Sequence, residues 1–94
     1  MNNGELLIDM KKITYKITDP LGIHARPAGL LVKKLNQYVS VVIIEKDGVQ
    51  KNAKRILSLM SLGVKQNETV TLIFEGPDEE EAAGTALAFL QENF

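Results

Sequence analysis

The sequence predicts a chain of the α/β (α+β) class, a two-layer open-faced sandwich in which four antiparallel strands are covered on one face by three helices, in the order βαββαβα. Two segments, Lys12–Thr18 and Thr69–Phe74, alternate apolar and polar side chains, the pattern of strands with one face buried and one face wet. Two others, Ala28–Leu35 and Ala83–Phe94, repeat apolar residues at helical spacing, so each has one stripe to bury. At 94 residues and 45% apolar content the chain has enough material for one core.

The elements follow in chain order. The first strand, Lys12–Thr18, ends at the turn-forming run Asp19-Pro20-Leu21-Gly22. Ala28, Leu31, Val32 and Leu35 at i, i+3, i+4 and i+7 mark the first helix, whose start is expected between His24 and Pro27 because proline is tolerated in a first helical turn. Val39–Ile44 is short and β-branched, and Asp47-Gly48 after it supplies the positive φ of a two-residue hairpin turn, with Val49–Asn52 as the return strand. Lys54–Leu62 reads as a short helix terminated by Gly63. After the strand at Thr69–Phe74, Asp78 and Glu81 resemble a capping box, and Ala83, Ala86, Leu87, Leu90 and Phe94 form the stripe of the last helix. Nothing resembling a linker or repeat divides residues 11–94, taken as one domain; residues 1–10 are read as a short arm in which Leu6, Leu7 and Ile8 are able to dock.

Composition narrows the function classes. There is no cysteine, which excludes thiol catalysis, disulfides and cysteine-held zinc, and a single histidine does not make a His-rich metal site, so no metal or cofactor is expected. No apolar run approaches the ~20 residues of a membrane helix and the N-terminus lacks the basic start of a signal peptide, so the expectation is a cytoplasmic protein without membrane insertion. The net charge of −1 conceals a polarity: residues 10–65 carry +8 and residues 66–94 carry −7. The positive stretch is suited to an anionic ligand or an acidic protein surface. Its basic residues are spread over several elements with few aromatics among them, which argues against nucleic acid.

The chemistry concentrates in Gly22-Ile23-His24-Ala25-Arg26-Pro27-Ala28. His24 stands where a helix N-cap belongs, and the unpaired first-turn amides of Ala25 and Arg26, together with the positive end of the helix dipole, welcome a dianionic group. An imidazolium has no lone pair with which to attack phosphorus, and a positive surrounding disfavours that form. The helix end and Arg26 both supply such a surrounding, and both donate charge-assisted hydrogen bonds to a phosphoryl group once it has arrived. The plain alternative is a surface cap with a solvated arginine. A second feature is Arg55-Ile56-Leu57-Ser58-Leu59-Met60-Ser61-Leu62, in which five apolar residues cover too much of a short helix for all to face inward. With Leu59 and Leu62 in the core, Ile56, Leu57 and Met60 are left toward solvent as a docking surface. The alternative there is a helix tucked deeper into the core.

Gly22-Ile23-His24-Ala25-Arg26-Pro27-Ala28 resembles the active-site motif of the HPr family, the histidine-containing phosphocarriers of the bacterial phosphoenolpyruvate-dependent sugar phosphotransferase system, and Met60-Ser61-Leu62-Gly63-Val64 resembles its second signature. The likeness runs over nearly all of residues 11–94. It implies the HPr-like open-faced sandwich, a His24 that takes a phosphoryl group on Nδ1 from enzyme I and passes it to a histidine of an enzyme IIA domain, and Arg26 beside it. It also implies that both partners dock on Ile56, Leu57 and Met60, with Leu21 at the active loop; a monomer is expected. Such a carrier is a substrate of its partners, with no small-molecule turnover of its own. The alternative within the family is a paralogue in a regulatory, nitrogen-type or dihydroxyacetone-kinase-linked phosphorelay. Two positions depart from the family pattern: Arg55 replaces the regulatory serine of Gram-positive members, and Leu21 replaces a small polar residue that helps order the active loop.

Overall fold

The computed structural model describes residues 10–94; the docking expected of Leu6, Leu7 and Ile8 falls outside the described residues. Seven elements follow one another as β1 (Lys11–Lys16), α1 (Ala25–Leu35), β2 (Val41–Lys46), β3 (Val49–Asn52), α2 (Ile56–Met60), β4 (Thr69–Glu75) and α3 (Glu79–Asn93). The four strands form one sheet in the order β1-β4-β2-β3, antiparallel throughout. The turn between β2 and β3 has positive φ at both Asp47 and Gly48, as a tight hairpin between right-twisted strands demands.

Strand register explains why only one face is covered. Ile13, Leu72 and Ile44 lie side by side on one face, with Val42, Val70 and Phe74 on the same side, and these meet the helices. On the other face, Lys12, Ile73, Ile43 and Asn52 form one row and Thr14, Thr71, Glu45 and Gln50 the next, so mainly polar side chains meet water. From the helical layer come Ala28, Leu31 and Leu35 of α1, Leu59 of α2, and Ala82, Ala83, Ala86 and Leu90 of α3, all buried. Val32 packs at the edge of that core.

Several sequence expectations are corrected here. β2 begins at Val41, not Val39, because the amides of Val39 and Ser40 are claimed by the Asp78 carboxylate (3.0 Å each) before the strand starts. For the same reason Asp78 makes no capping box with Glu81: its oxygens clamp the chain entering β2, and the Ser40 hydroxyl donates to it as well. Glu79 instead accepts the Gly76 amide at 3.0 Å. In α3 the buried stripe is Ala82, Ala83, Ala86, Phe89 and Leu90, while Leu87 is only half-buried, the helix having turned slightly from the face its spacing indicates. β1 ends at Lys16, after which Thr18 and Asp19 turn their amides to the Phe94 carbonyl. α2 is shorter than Lys54–Leu62, since Asn52 caps the turn before it and Gly63, at φ 60°, closes the turn after it.

Three carboxylates are held below their ordinary range by the donors they accept. Asp78 is lowered first by the Ser40 hydroxyl and then by the Val39 amide, Glu68 by the Lys65 amide and then by Lys46, and Asp19 by the Leu21 amide. A carboxylate lowered in the folded state binds protons more tightly when unfolded, so its contribution is present above the unfolded value and disappears as pH falls. Thermal unfolding midpoints should therefore hold steady at neutral pH and drop as pH descends through the carboxylate range near about 4. Asp78→Asn should flatten that acid limb, measured by circular dichroism across pH.

Candidate functional site

Between β1 and α1 the chain makes a turn that its sequence dictates. Asp19-Pro20-Leu21-Gly22 is closed by the Gly22 amide donating to the Asp19 carbonyl at 2.8 Å, with proline at the second position where its fixed φ fits. The Asp19 carboxylate accepts the Leu21 amide at 2.8 Å through Oδ1, an Asx turn laid over the backbone turn. Gly22 has φ +66°, and a Cβ there would collide with the Val64 carbonyl oxygen, so only glycine fits. The Ile23 amide then donates to the same Val64 carbonyl at 3.0 Å, fastening the loop to the segment that follows α2. Asp19 thus orders the turn through the main chain of Leu21, whose side chain stands 71% exposed.

This turn delivers His24 to the mouth of α1. Its backbone is the extended N-cap of the helix and its carbonyl accepts the Ala28 amide at 3.0 Å, but its side chain caps nothing. The amides of Ala25 and Arg26 precede that first intrahelical bond, and Pro27 has no N–H to leave unpaired. The ring, 34% exposed, lies beside the Asp19 carboxylate, Nε2 to Oδ2 3.3 Å. On another side the Phe94 ring meets it edge-on, centroids 6.2 Å apart at 86°. A cleft of about 300 Å³ is lined by Asp19, His24, Arg26, Pro27, Leu30, Glu92 and Asn93.

To the helix end and Arg26, the charged surroundings the sequence indicates, the structure adds the Asp19 carboxylate against the ring and Glu92 in the cleft. The sequence reading left out Asp19, Glu92 and Phe94. For Asp19 a signal exists, since an Asp at the first position of a Pro-containing turn has its carboxylate free to reach residues just beyond it. For Glu92 and Phe94 there is none, because only tertiary packing brings the end of α3 to the start of α1. A larger groove of about 750 Å³ at the start of α3, bordered by Asp78, Glu79, Glu80 and Glu81, is too acidic to hold a phosphoryl group.

The apolar surface sorts itself. Leu57 is 82% exposed and Ile56 36%, while Met60 is half-buried against the core and presents less to solvent than its spacing indicates. Leu59 is fully buried and Leu62 half-buried, as the inward assignment requires. Leu30, on the outer side of α1, adds an exposed apolar side chain at the rim of the histidine cleft.

Residues 11–92 match the family model described as the PTS HPr component phosphorylation site. The chain belongs to the HPr family. It is 45% identical over 85 residues to the phosphocarrier protein HPr of Mycoplasma pneumoniae, covering 89% of this chain and 97% of that one. Among solved structures it superimposes on an HPr from Thermoanaerobacter tengcongensis with a TM-score of 0.84 at 41% identity, covering 87% and 92% of the two chains. The Bacillus subtilis catabolite repression protein Crh, solved as a swapped dimer, gives a TM-score of 0.72 at 40% identity over 98% and 95%. The four-stranded sheet with three helices in the order βαββαβα is the HPr architecture, and membership makes this chain a phosphocarrier of the phosphotransferase system in the general sense. No helix among the described residues is long and apolar enough to cross a membrane.

Proposed function

We propose that His24 is the phosphoryl acceptor, taking the group on Nδ1 from phosphorylated enzyme I and giving it to a histidine of an enzyme IIA domain in cytoplasmic sugar uptake. The observation that carries this reading is the position of the ring: partly exposed, at the N-cap of α1, with a side chain that leaves the first-turn amides free. A phosphoryl dianion on the ring is met by the Ala25 and Arg26 amides, by the positive end of the helix and by the Arg26 guanidinium. Glu92, lining the same cleft, opposes that attraction, which keeps the adduct labile enough to pass on. Incubation of the purified chain with enzyme I and phosphoenolpyruvate tests the reading: an acid-labile adduct is expected, and an unlabelled protein would refute it.

Docking is assigned to Ile56 and Leu57, with Met60 as a smaller contributor and Leu21 at the loop. Leu57→Glu should lower kcat/KM for phosphorylation by enzyme I about tenfold or more, the effect of losing one central apolar contact at an interface. Stability should change by less than about 0.5 kcal/mol, since the side chain touches mainly solvent. Steady-state kinetics with varied carrier concentration read the first effect and thermal melts the second.

The carrier is taken to act as a monomer, the form in which one His24 meets one partner at a time; light scattering that gives twice the chain mass would replace it with a dimer. Likeness to Crh supports a second reading, a regulatory paralogue. Arg55, at the position of the regulatory serine, leaves no hydroxyl there for a kinase. Neighbouring permease genes would favour the sugar carrier, and a dihydroxyacetone kinase or nitrogen-regulation cluster the other.

A further inference from the structure

We propose that Asp19 is the positioning residue that fixes the tautomer of His24, keeping the proton on Nε2 so that Nδ1 presents its lone pair to phosphorus. The inference rests on the reading of His24 as acceptor and says how that ring is prepared. An ionised carboxylate only accepts hydrogen bonds, so a hydrogen bond across the 3.3 Å between Asp19 Oδ2 and Nε2 has Nε2 as its donor, and in a neutral ring that places the proton on Nε2. Asp19 stays ionised because its other oxygen is held by the Leu21 amide at 2.8 Å, the first cause of its lowered pKa.

The three groups lock one another. The Asp19 amide donates to the Phe94 carbonyl at 2.9 Å, which also receives the Thr18 amide at 2.6 Å and the Thr18 hydroxyl at 2.9 Å. Those bonds hold the Phe94 main chain beside the turn, and its buried ring meets the imidazole edge-on. The Asp19 carboxylate is the second group against the ring, at Nε2. The charged groups that line the cleft with the ring are Asp19 from the turn, Arg26 from α1 and Glu92 from α3; of these, Asp19 is within hydrogen-bond distance of a ring nitrogen.

The chemistry balances without any proton transfer. On acceptance the Nδ1 lone pair forms the new N–P bond, the donor's N–P bond breaks, and its electron pair returns to the donor imidazole. Nε2 keeps its hydrogen throughout, and the phosphorylated ring carries an imidazolium charge that the Asp19 carboxylate faces. On donation the N–P pair returns to Nδ1 and the ring leaves as the same neutral tautomer. A carboxylate at Nε2 thus serves both half-reactions, as a buried aspartate serves the histidine of a protease triad.

His24 is the sole histidine, so its ring nitrogens can be read by ¹⁵N NMR of the full chain without ambiguity. At a pH where the ring is neutral, the wild-type signals should show a protonated Nε2 and an unprotonated Nδ1. In Asp19→Asn the amide oxygen is able to keep the Leu21 bond while its NH₂ group points a donor at Nε2, which moves the proton to Nδ1. That variant should melt within a few degrees of the wild type, show the inverted nitrogen pattern, and accept phosphoryl from enzyme I at least tenfold more slowly. Asp19→Ala should show a mixture of tautomers and an intermediate rate. An Asp19→Asn protein with the wild-type nitrogen pattern, or with the wild-type acceptance rate, would overturn the proposal. Should the wild type take no phosphoryl at all, the carrier reading fails, and the nitrogen pattern still decides the role of Asp19.

Discussion

His24→Ala is expected to abolish phosphoryl acceptance while costing about 1 kcal/mol or less of stability. Function is lost because the only imidazole is removed and no other side chain in the cleft offers a neutral nitrogen with a free lone pair: the remaining groups are two carboxylates, a guanidinium, an amide, a proline ring and a leucine. Stability is nearly kept because the side chain is partly exposed and caps no helical amide; what disappears is one hydrogen bond to Asp19 and an edge contact to Phe94. Enzyme I-dependent labelling and a denaturant titration, run on the same preparation, separate the two effects. A variant that no longer folds would mean that the ring holds the α1–α3 junction together.

Gly22→Ala should damage both. With φ +66° the position lies where an L-side chain is strained, and the new methyl group would run into the Val64 carbonyl, with the Lys65 Cα only 2.8 Å away. Relief requires the turn to move off Val64, which breaks the Ile23 bond to that carbonyl and shifts His24 two residues on. Strain and overpacking of about 1–3 kcal/mol each give a loss of roughly 2–6 kcal/mol. The surviving folded protein should accept phosphoryl more slowly, because the ring no longer sits over the first turn of α1. Equilibrium unfolding measures the first loss. Single-turnover transfer at a temperature where the variant is folded measures the second.

The sequence carried most of the architecture because each element states its own period. Alternation in Thr69–Phe74 and helical spacing in Ala28–Leu35 are local properties, and Asp47-Gly48 and Gly63 mark the places where φ turns positive. Where the reading slipped, a side chain was spent on a distant part of the chain. Asp78 has the residue type and place of a helix cap, yet it serves Val39 and Ser40, nearly forty positions earlier. The candidate site divides in the same way. His24, Arg26 and the helix mouth are readable from seven consecutive residues, whereas Phe94 and Glu92 reach the ring only through the packing of α3. Asp19 lies between these cases: its turn is legible, but its contact with the ring depends on how the turn is pinned to Val64. Met60 shows the limit of spacing as a guide to exposure, since a five-residue helix lying against the core half-buries a side chain that a helical wheel leaves outside.

The central claim is that one imidazole at the mouth of α1 carries the phosphoryl group, and site-resolved mapping tests it most directly. The wild-type chain would be incubated with enzyme I and phosphoenolpyruvate, kept at neutral or alkaline pH, and the modified nitrogen located by ³¹P and ¹⁵N NMR. A single acid-labile phosphoryl on Nδ1 of His24 is the predicted result. A chain that stays unmodified, or that carries an acid-stable phosphoryl on Ser58 or Ser61, would contradict it.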